Sequence, residues 1–223
     1  MKTLTKAQRD LITPMQAIGL LKKGNERFVN NLKMNRNLLQ QVNETSDGQH
    51  PFAVILSCID SRTSAELIFD QGLGDVFSVR IAGNIQNPDI LGSMEFSCKV
   101  AGAKVVVVLG HSKCGAVKGA CDNVKMGNLT TLLEKLKPAV DGETSVTSDR
   151  NASNTEFVEK VASLNVRITK KQILKNSPIL KEMIEKGEIA LAGGMYDVET
   201  GIVDFYDDEI VTAETIAKAE SVI

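Results

Sequence analysis

Three short apolar runs, separated by stretches with helical spacing, limit what this chain can fold into more than any other feature. Phe52 to Leu56 is continuously apolar, and the stretches Val76 to Ile81 and Lys104 to Leu109 are rich in β-branched residues. Runs of this length suit strands covered on both faces. Between them, residues 65 to 70 fit a short helix closed by Gly72 and Gly74, and residues 90 to 101 fit a helix with Ile90, Met94 and Val100 on one side. The alternation predicts an α/β fold with a central, mostly parallel β-sheet flanked by helices. Ligands of such sheets bind beyond the carboxyl ends of the strands. Cys58 and His111 fall just past the ends of the first and third predicted strands, so one crevice collects them.

The rest of the chain reads around that core as one domain over residues 1–223. Residues 1–50 form a helical arm, with Pro14 at a helix start, apolar Ala17, Leu20, Leu21 and Phe28, and a polar break at 43 to 50. The arm is expected to pack on a neighbouring subunit. The α/β core spans 51–210: short helices at 115 to 122 and 129 to 136, a polar connector from Pro138 to Ser148, helices at 155 to 176 and 178 to 186, a strand at 189 to 193, and a strand and turn pair around Gly201. A C-terminal helix is expected over 211–223.

Composition closes off several classes of function. With 26 Lys and Arg against 28 Asp and Glu, the chain has no global positive field to attract nucleic acid or an anionic membrane. Its longest apolar runs fall far short of the roughly 20 residues that span a bilayer. The opening MKTLTKAQRDLITP has no apolar core of a secretory signal, so a cytoplasmic location is expected. Four Cys are too few for a disulfide scaffold, and Cys98 and Cys121, in helical sequence, read as plain thiols.

Cys58, His111 and Cys114 form a Cys2His set, with His111 and Cys114 three residues apart. Two thiolates and an imidazole suit zinc, and three protein ligands with an open fourth place describe a catalytic rather than a closed structural site. The plainer alternative is that two buried cysteines happen to lie near a histidine. Asp60 and Arg62 share the loop after Cys58, where an Arg fork holding a carboxylate would let Asp60 orient a metal-bound hydroxide. Released from Arg62, Asp60 could become the fourth ligand and close the site; an ordinary loop ion pair is the alternative. His50 reads as a surface residue. Ser57 and Ser61 read as loop supports through hydroxyl to backbone bonds, since no free His remains as a base for a serine nucleophile. GlyHisSerLysCysGlyAlaValLysGly lacks the ending of a phosphate loop.

CysIleAspSerArg at 58 to 62, ArgIleAlaGlyAsn at 80 to 84 and GlyHisSerLysCysGly at 110 to 115, in this order, resemble the β-class carbonic anhydrases over most of the chain. The resemblance implies one Zn(2+) per subunit on Cys58, His111 and Cys114, with Asp60 and Arg62 as the catalytic dyad. The implied reaction is reversible hydration of carbon dioxide to bicarbonate and a proton by zinc-bound hydroxide. Carbon dioxide, water and bicarbonate would be the small-molecule partners, and the assembly a homodimer or a dimer of dimers embraced by the N-terminal arms. It further implies that the Gly83 loop shapes the cleft, that Gly115 permits close approach to the metal, and that Tyr196 lines an interface. Members with a bicarbonate pocket carry Trp where this chain has Ile55, and the chain has no Trp. The rival readings are a noncatalytic zinc or interaction protein, and a zinc hydrolase of carbon disulfide or carbonyl sulfide on the same scaffold.

Overall fold

A computed structural model describes residues 3–220. Five strands form one sheet: β1 (Ala53–Ser57), β2 (Val76–Arg80), β3 (Val105–His111), β4 (Ala190–Tyr196) and β5 (Val203–Phe205), in the spatial order β2-β1-β3-β4-β5. The first four strands run parallel and β5 pairs antiparallel to β4. From β1 the chain moves outward to β2, then crosses back to lay β3 on the other side of β1. The carboxyl ends of β1 and β3 therefore flank the point where the winding reverses, where doubly wound sheets open a crevice.

The N-terminal helices are α1 (Lys6–Asp10), α2 (Pro14–Val29) and α3 (Leu38–Glu44). Thr5 and Thr13 cap the first two through reciprocal bonds with Gln8 and Gln16, and Pro14 opens α2. Between strands run α4 (Ala65–Ile68), α5 (Pro88–Glu95, continued by a wider turn to Val100), α6 (Gly115–Cys121), α7 (Gly127–Glu134), α8 (Lys137–Gly142), α9 (Thr155–Asn176) and α10 (Pro178–Glu185), and α11 (Ala213–Glu220) follows β5. Side chains of β1 alternate between two cores. Ala53 and Ile55 face α2 and α4 with Leu21 and Phe69, whereas Val54 and Leu56 face α5, α9 and α10 with Met94, Val166 and Leu180. Both faces of the sheet are thus covered, as the runs in the sequence require. Among the described residues, no helix is long and apolar enough to cross a membrane.

Several boundaries differ from the sequence expectation. β3 continues through Gly110 to His111 and β4 through Gly194 to Tyr196, because their pairing persists to His111 opposite Tyr196. Glycine hides these strand ends, yet here close packing demands it: a Cβ at Gly110 would lie 2.6 Å from Met195 Sδ, and one at Gly194 would lie 2.7 Å from the Asp204 carbonyl oxygen. The segment from Pro138 is not wholly a connector, since Pro138 sits in the first turn of α8, where its missing N–H costs no helical bond. The C-terminal helix is observed over Ala213–Glu220; residues 221–223 of that expectation, and 1–2 of the arm, lie outside the described residues.

The arm is largely tied to its own subunit. Ala17, Ile18 and Leu21 of α2 are fully or almost fully buried against the sheet, and buried Arg9 donates to the Ala101 carbonyl. Beyond α2, buried Asp70 accepts from Arg27 Nε and Arg36 Nη1, each at 2.5 Å, and from the Met34 backbone N–H at 3.2 Å. Burial opposes ionisation, yet the hydrogen bonds from Arg27 and Arg36 hold this carboxyl below its ordinary 3.8. A depressed folded value means the stabilisation is complete above the unfolded value and is lost as pH falls through the folded one. Asp70→Asn should therefore cost about 3 to 5 kcal/mol at neutral pH, as expected when one partner leaves a buried pair. In urea unfolding, the gap from the parent should close as pH is lowered below 3.8; a gap independent of pH would refute the ionic account.

Candidate metal centre

Cys58 follows β1 directly, His111 ends β3, and Cys114 stands three residues on, immediately before α6. The register that sets Ser57 beside Leu109 brings the two strand ends together. The turn to Cys114 passes through Lys113 at φ 56. Their ligand atoms all lie within 4.8 Å of one another, and all three residues are buried. Cys58 and Cys114 join an apolar cluster with Val117, Phe157, Val158 and Val161.

His111 Nδ1 donates to the Ser112 carbonyl at 2.9 Å, a bond that fixes the tautomer and leaves Nε2 as a bare lone pair. Nε2 is buried and has no hydrogen-bond partner. Ser112 is itself held, donating its N–H to the Tyr196 carbonyl and accepting from Val198 N–H at its hydroxyl, both at 2.9 Å. The sulfurs are electron-rich. A hydrogen bond from Cys114, with others from the Gly83 N–H and the Asp60 N–H, pulls the Cys58 thiol well below its ordinary 9.0 against the effect of burial. The Cys114 thiol is pushed up, first by the Cys58 sulfur and then by burial, although the N–H groups of Val117 and Ala116 favour its thiolate. Two sulfurs competing for one proton beside an unpaired imidazole nitrogen form an uncompensated donor set. Such a set fits a borderline-soft divalent cation, which would let both sulfurs ionise and would satisfy Nε2.

Asp60 lies outside that cluster, turned toward Arg62. Arg62 Nε donates to Oδ1 at 2.9 Å, Nη2 to Oδ2 at 2.7 Å, and the Arg62 backbone N–H to Oδ1 at 3.0 Å. The Arg62 fork, with its backbone N–H, holds the Asp60 carboxyl well below the usual carboxylate range despite partial burial. The loop carrying both residues is pinned from behind. Arg80 donates to the carbonyls of Cys58 at 3.0 Å and Asp60 at 2.7 Å, and Thr63 Oγ1 donates to the same two at 3.0 and 2.8 Å.

One expected support is absent. Ser57 Oγ is buried without a partner, so Thr63 and not Ser57 ties the loop. Ile55 is fully buried in β1, and Tyr196 is buried in this chain at the register position opposite His111. A Cβ at Gly115 would meet open space. At Gly83, whose φ is +70, a Cβ would lie 2.9 Å from Leu136 Cδ1, and its N–H donates to Cys58 Sγ at 3.4 Å. The sequence reading assigned no role to Arg80, although it marked the motif containing it, and passed over Asn165, whose side chain donates to the Gly83 carbonyl at 2.8 Å. Its one signal was an amide on the buried stripe of α9.

A family model described as carbonic anhydrase matches residues 53–203. "Carbonic anhydrase 2" of Mycobacterium tuberculosis is 36% identical over 201 residues, covering 84% of this chain and 90% of that protein. Among solved structures, the β-carbonic anhydrase CafA of Aspergillus fumigatus superposes with TM-score 0.66 at 28% identity, covering 86% of this chain and 90% of its own. A tetrameric β-carbonic anhydrase of Sordaria macrospora gives 0.64 at 26% identity, covering 85% and 90%.

Proposed function

The chain belongs to the β-class carbonic anhydrases, and from that premise we propose that Cys58, His111 and Cys114 hold one zinc ion per subunit for reversible hydration of carbon dioxide to bicarbonate and a proton. The observation that carries this is the buried, unpartnered Nε2 of His111, aligned with two sulfurs whose ligand atoms lie within 4.8 Å. Zinc in such a site acidifies water, supplying a nucleophile near neutral pH.

The chain's own residues supply the rest. Asp60, ionised and fixed by the Arg62 fork, accepts the hydrogen bond that aims the nucleophile. Ser112 holds the His111 ring through Nδ1. Arg80 and Thr63 keep the loop from relaxing as charge moves. For Asp60 to reach the fourth ligand position it would have to give up three hydrogen bonds from Arg62, which supports an open site. Apolar Val117, Phe157 and Val161 limit water around the sulfurs.

Stopped-flow carbon dioxide hydration, on protein whose zinc content is measured in the same preparation, tests the reaction. Rapid turnover that scales with zinc is expected. Full zinc occupancy without turnover would overturn the proposal in favour of a noncatalytic zinc protein or of carbon disulfide or carbonyl sulfide as substrate.

We further place the enzyme in the cytoplasm as a dimer or dimer of dimers. The four free cysteines suit a reducing compartment. Beyond the buried part of α2, the arm and α3 leave Leu32, Leu38, Leu39 and Val42 half or more exposed, an apolar face suited to a second copy, and the Sordaria macrospora relative is tetrameric. Leu38→Glu with Leu39→Glu should lower the mass in light scattering toward the 24.1 kDa of one chain; an unchanged oligomer would remove the arm from the interface.

A further inference from the structure

We propose that Asn165 is a positioning residue for the metal site, locking the Gly83 turn so that its N–H stays on the Cys58 sulfur. The inference rests on the reading of Cys58 as a metal ligand. Gly83 and Asn84 occupy consecutive left-handed conformations, with φ 70 and 41. A non-glycine residue in that region is strained unless its surroundings hold it. Two side chains one turn apart on the buried stripe of α9 grip the two carbonyls of this turn. Asn165 Nδ2 donates to the Gly83 carbonyl at 2.8 Å, and Thr169 Oγ1 donates to the Asn84 carbonyl at 3.4 Å. A carbonyl accepts only from the amide nitrogen, so the orientation of Asn165 is determined.

Asn165 is 2% exposed and sits on a mainly apolar stripe with Phe157, Val158, Val161, Ala162, Val166 and Ile173, where Thr169 and Lys170 are the other polar members. An apolar residue would suit that position better were packing its only task. The amide reaches the turn whose Gly83 N–H donates to Cys58 Sγ at 3.4 Å. Such an N–H drains electron density from the sulfur, so it tempers the thiolate's donation and leaves the bound ion a stronger Lewis acid. Outer residues of this kind tune a site as the ligands do.

The test uses the full-length protein loaded with cobalt(II), read by its sulfur to cobalt charge-transfer band and by competition with a chelator. Asn165→Leu, close in volume and without a donor, should shift the band to lower energy as the sulfur gains electron density, and the loosened turn, by misplacing Cys58, should weaken metal retention by roughly tenfold. Carbon dioxide turnover should fall through kcat, with KM little changed. Thr169→Val, losing only the longer bond, should move each readout less. Asn165→Ala, which removes the donor while leaving room, should behave as Asn165→Leu does. A folded, loaded Asn165 variant with parental band and retention would overturn the proposal. In the unaltered protein loaded with 113Cd, the Gly83 amide proton should couple to the metal through Cys58 Sγ, and absence of that coupling would also overturn it. A parent chain that takes up neither ion would instead defeat the metal site itself.

Discussion

Cys114→Ala is expected to emerge with no bound zinc and no turnover above the uncatalysed rate. Catalytic zinc sites keep three protein ligands, and removing one leaves His111 and Cys58 to hold a dication in an apolar cluster. The fold should survive, because Cys114 offers no side-chain cap to α6 and strands β1 and β3 pair without it. Metal analysis after dialysis against a mild chelator should fall from about one zinc per chain to under about a tenth of that, with far-UV circular dichroism unchanged. Stoichiometric zinc in this variant would show that the ligand set is misassigned.

Asp60→Asn separates chemistry from metal binding. The amide keeps the shape of the carboxylate but turns an –NH2 toward Arg62, opposing donor to donor where Oδ1 and Oδ2 now accept at 2.9 and 2.7 Å. The charge that orients the nucleophile is lost while all three proposed ligands remain. Zinc content should match the parent, and kcat should drop by about 10² to 10⁴, the range associated with a positioned acid or base group. Parental kcat in a zinc-replete Asp60→Asn preparation would end the dyad mechanism and leave the pair a loop ion pair.

Much of this was written in the chain's local pattern. Uninterrupted apolar runs make buried parallel strands almost regardless of context, so β1, β2 and the body of β3 were legible, as was the long stripe of α9. The ligands were legible because strand ends converge in such a sheet, and Cys58 and His111 mark two of them. What failed to show depended on contacts between distant segments. The last residues of β3 and β4 are glycine-rich, and only the lock of Gly110 against Met195 and Val166 makes them strand. Ser57 was credited with a support that Thr63 provides, because nothing local tells which hydroxyl finds a carbonyl. Arg80 and Asn165 act on backbone atoms of the site from 22 and 82 residues away, a distance over which spacing carries no signal. The arm is expected from sequence to pack on a neighbouring subunit, and what that reading did not show is that α2 is buried by partners that come from the sheet and α4 of its own chain.

The split of the proposed ligands across the β1 to β3 crossover also shapes how the protein comes apart. His111 and Cys114, three apart, stay neighbours in an unfolded chain and can still grasp an ion, whereas Cys58 joins them only when β1 lies beside β3. Affinity for the unfolded chain is thus confined to a two-donor remnant, and the difference between the two affinities is added to the stability of the folded state by mass action. Metal release should then coincide with melting of the central sheet, which makes the ion a late staple across the middle of the molecule and its loss a report on the sheet itself.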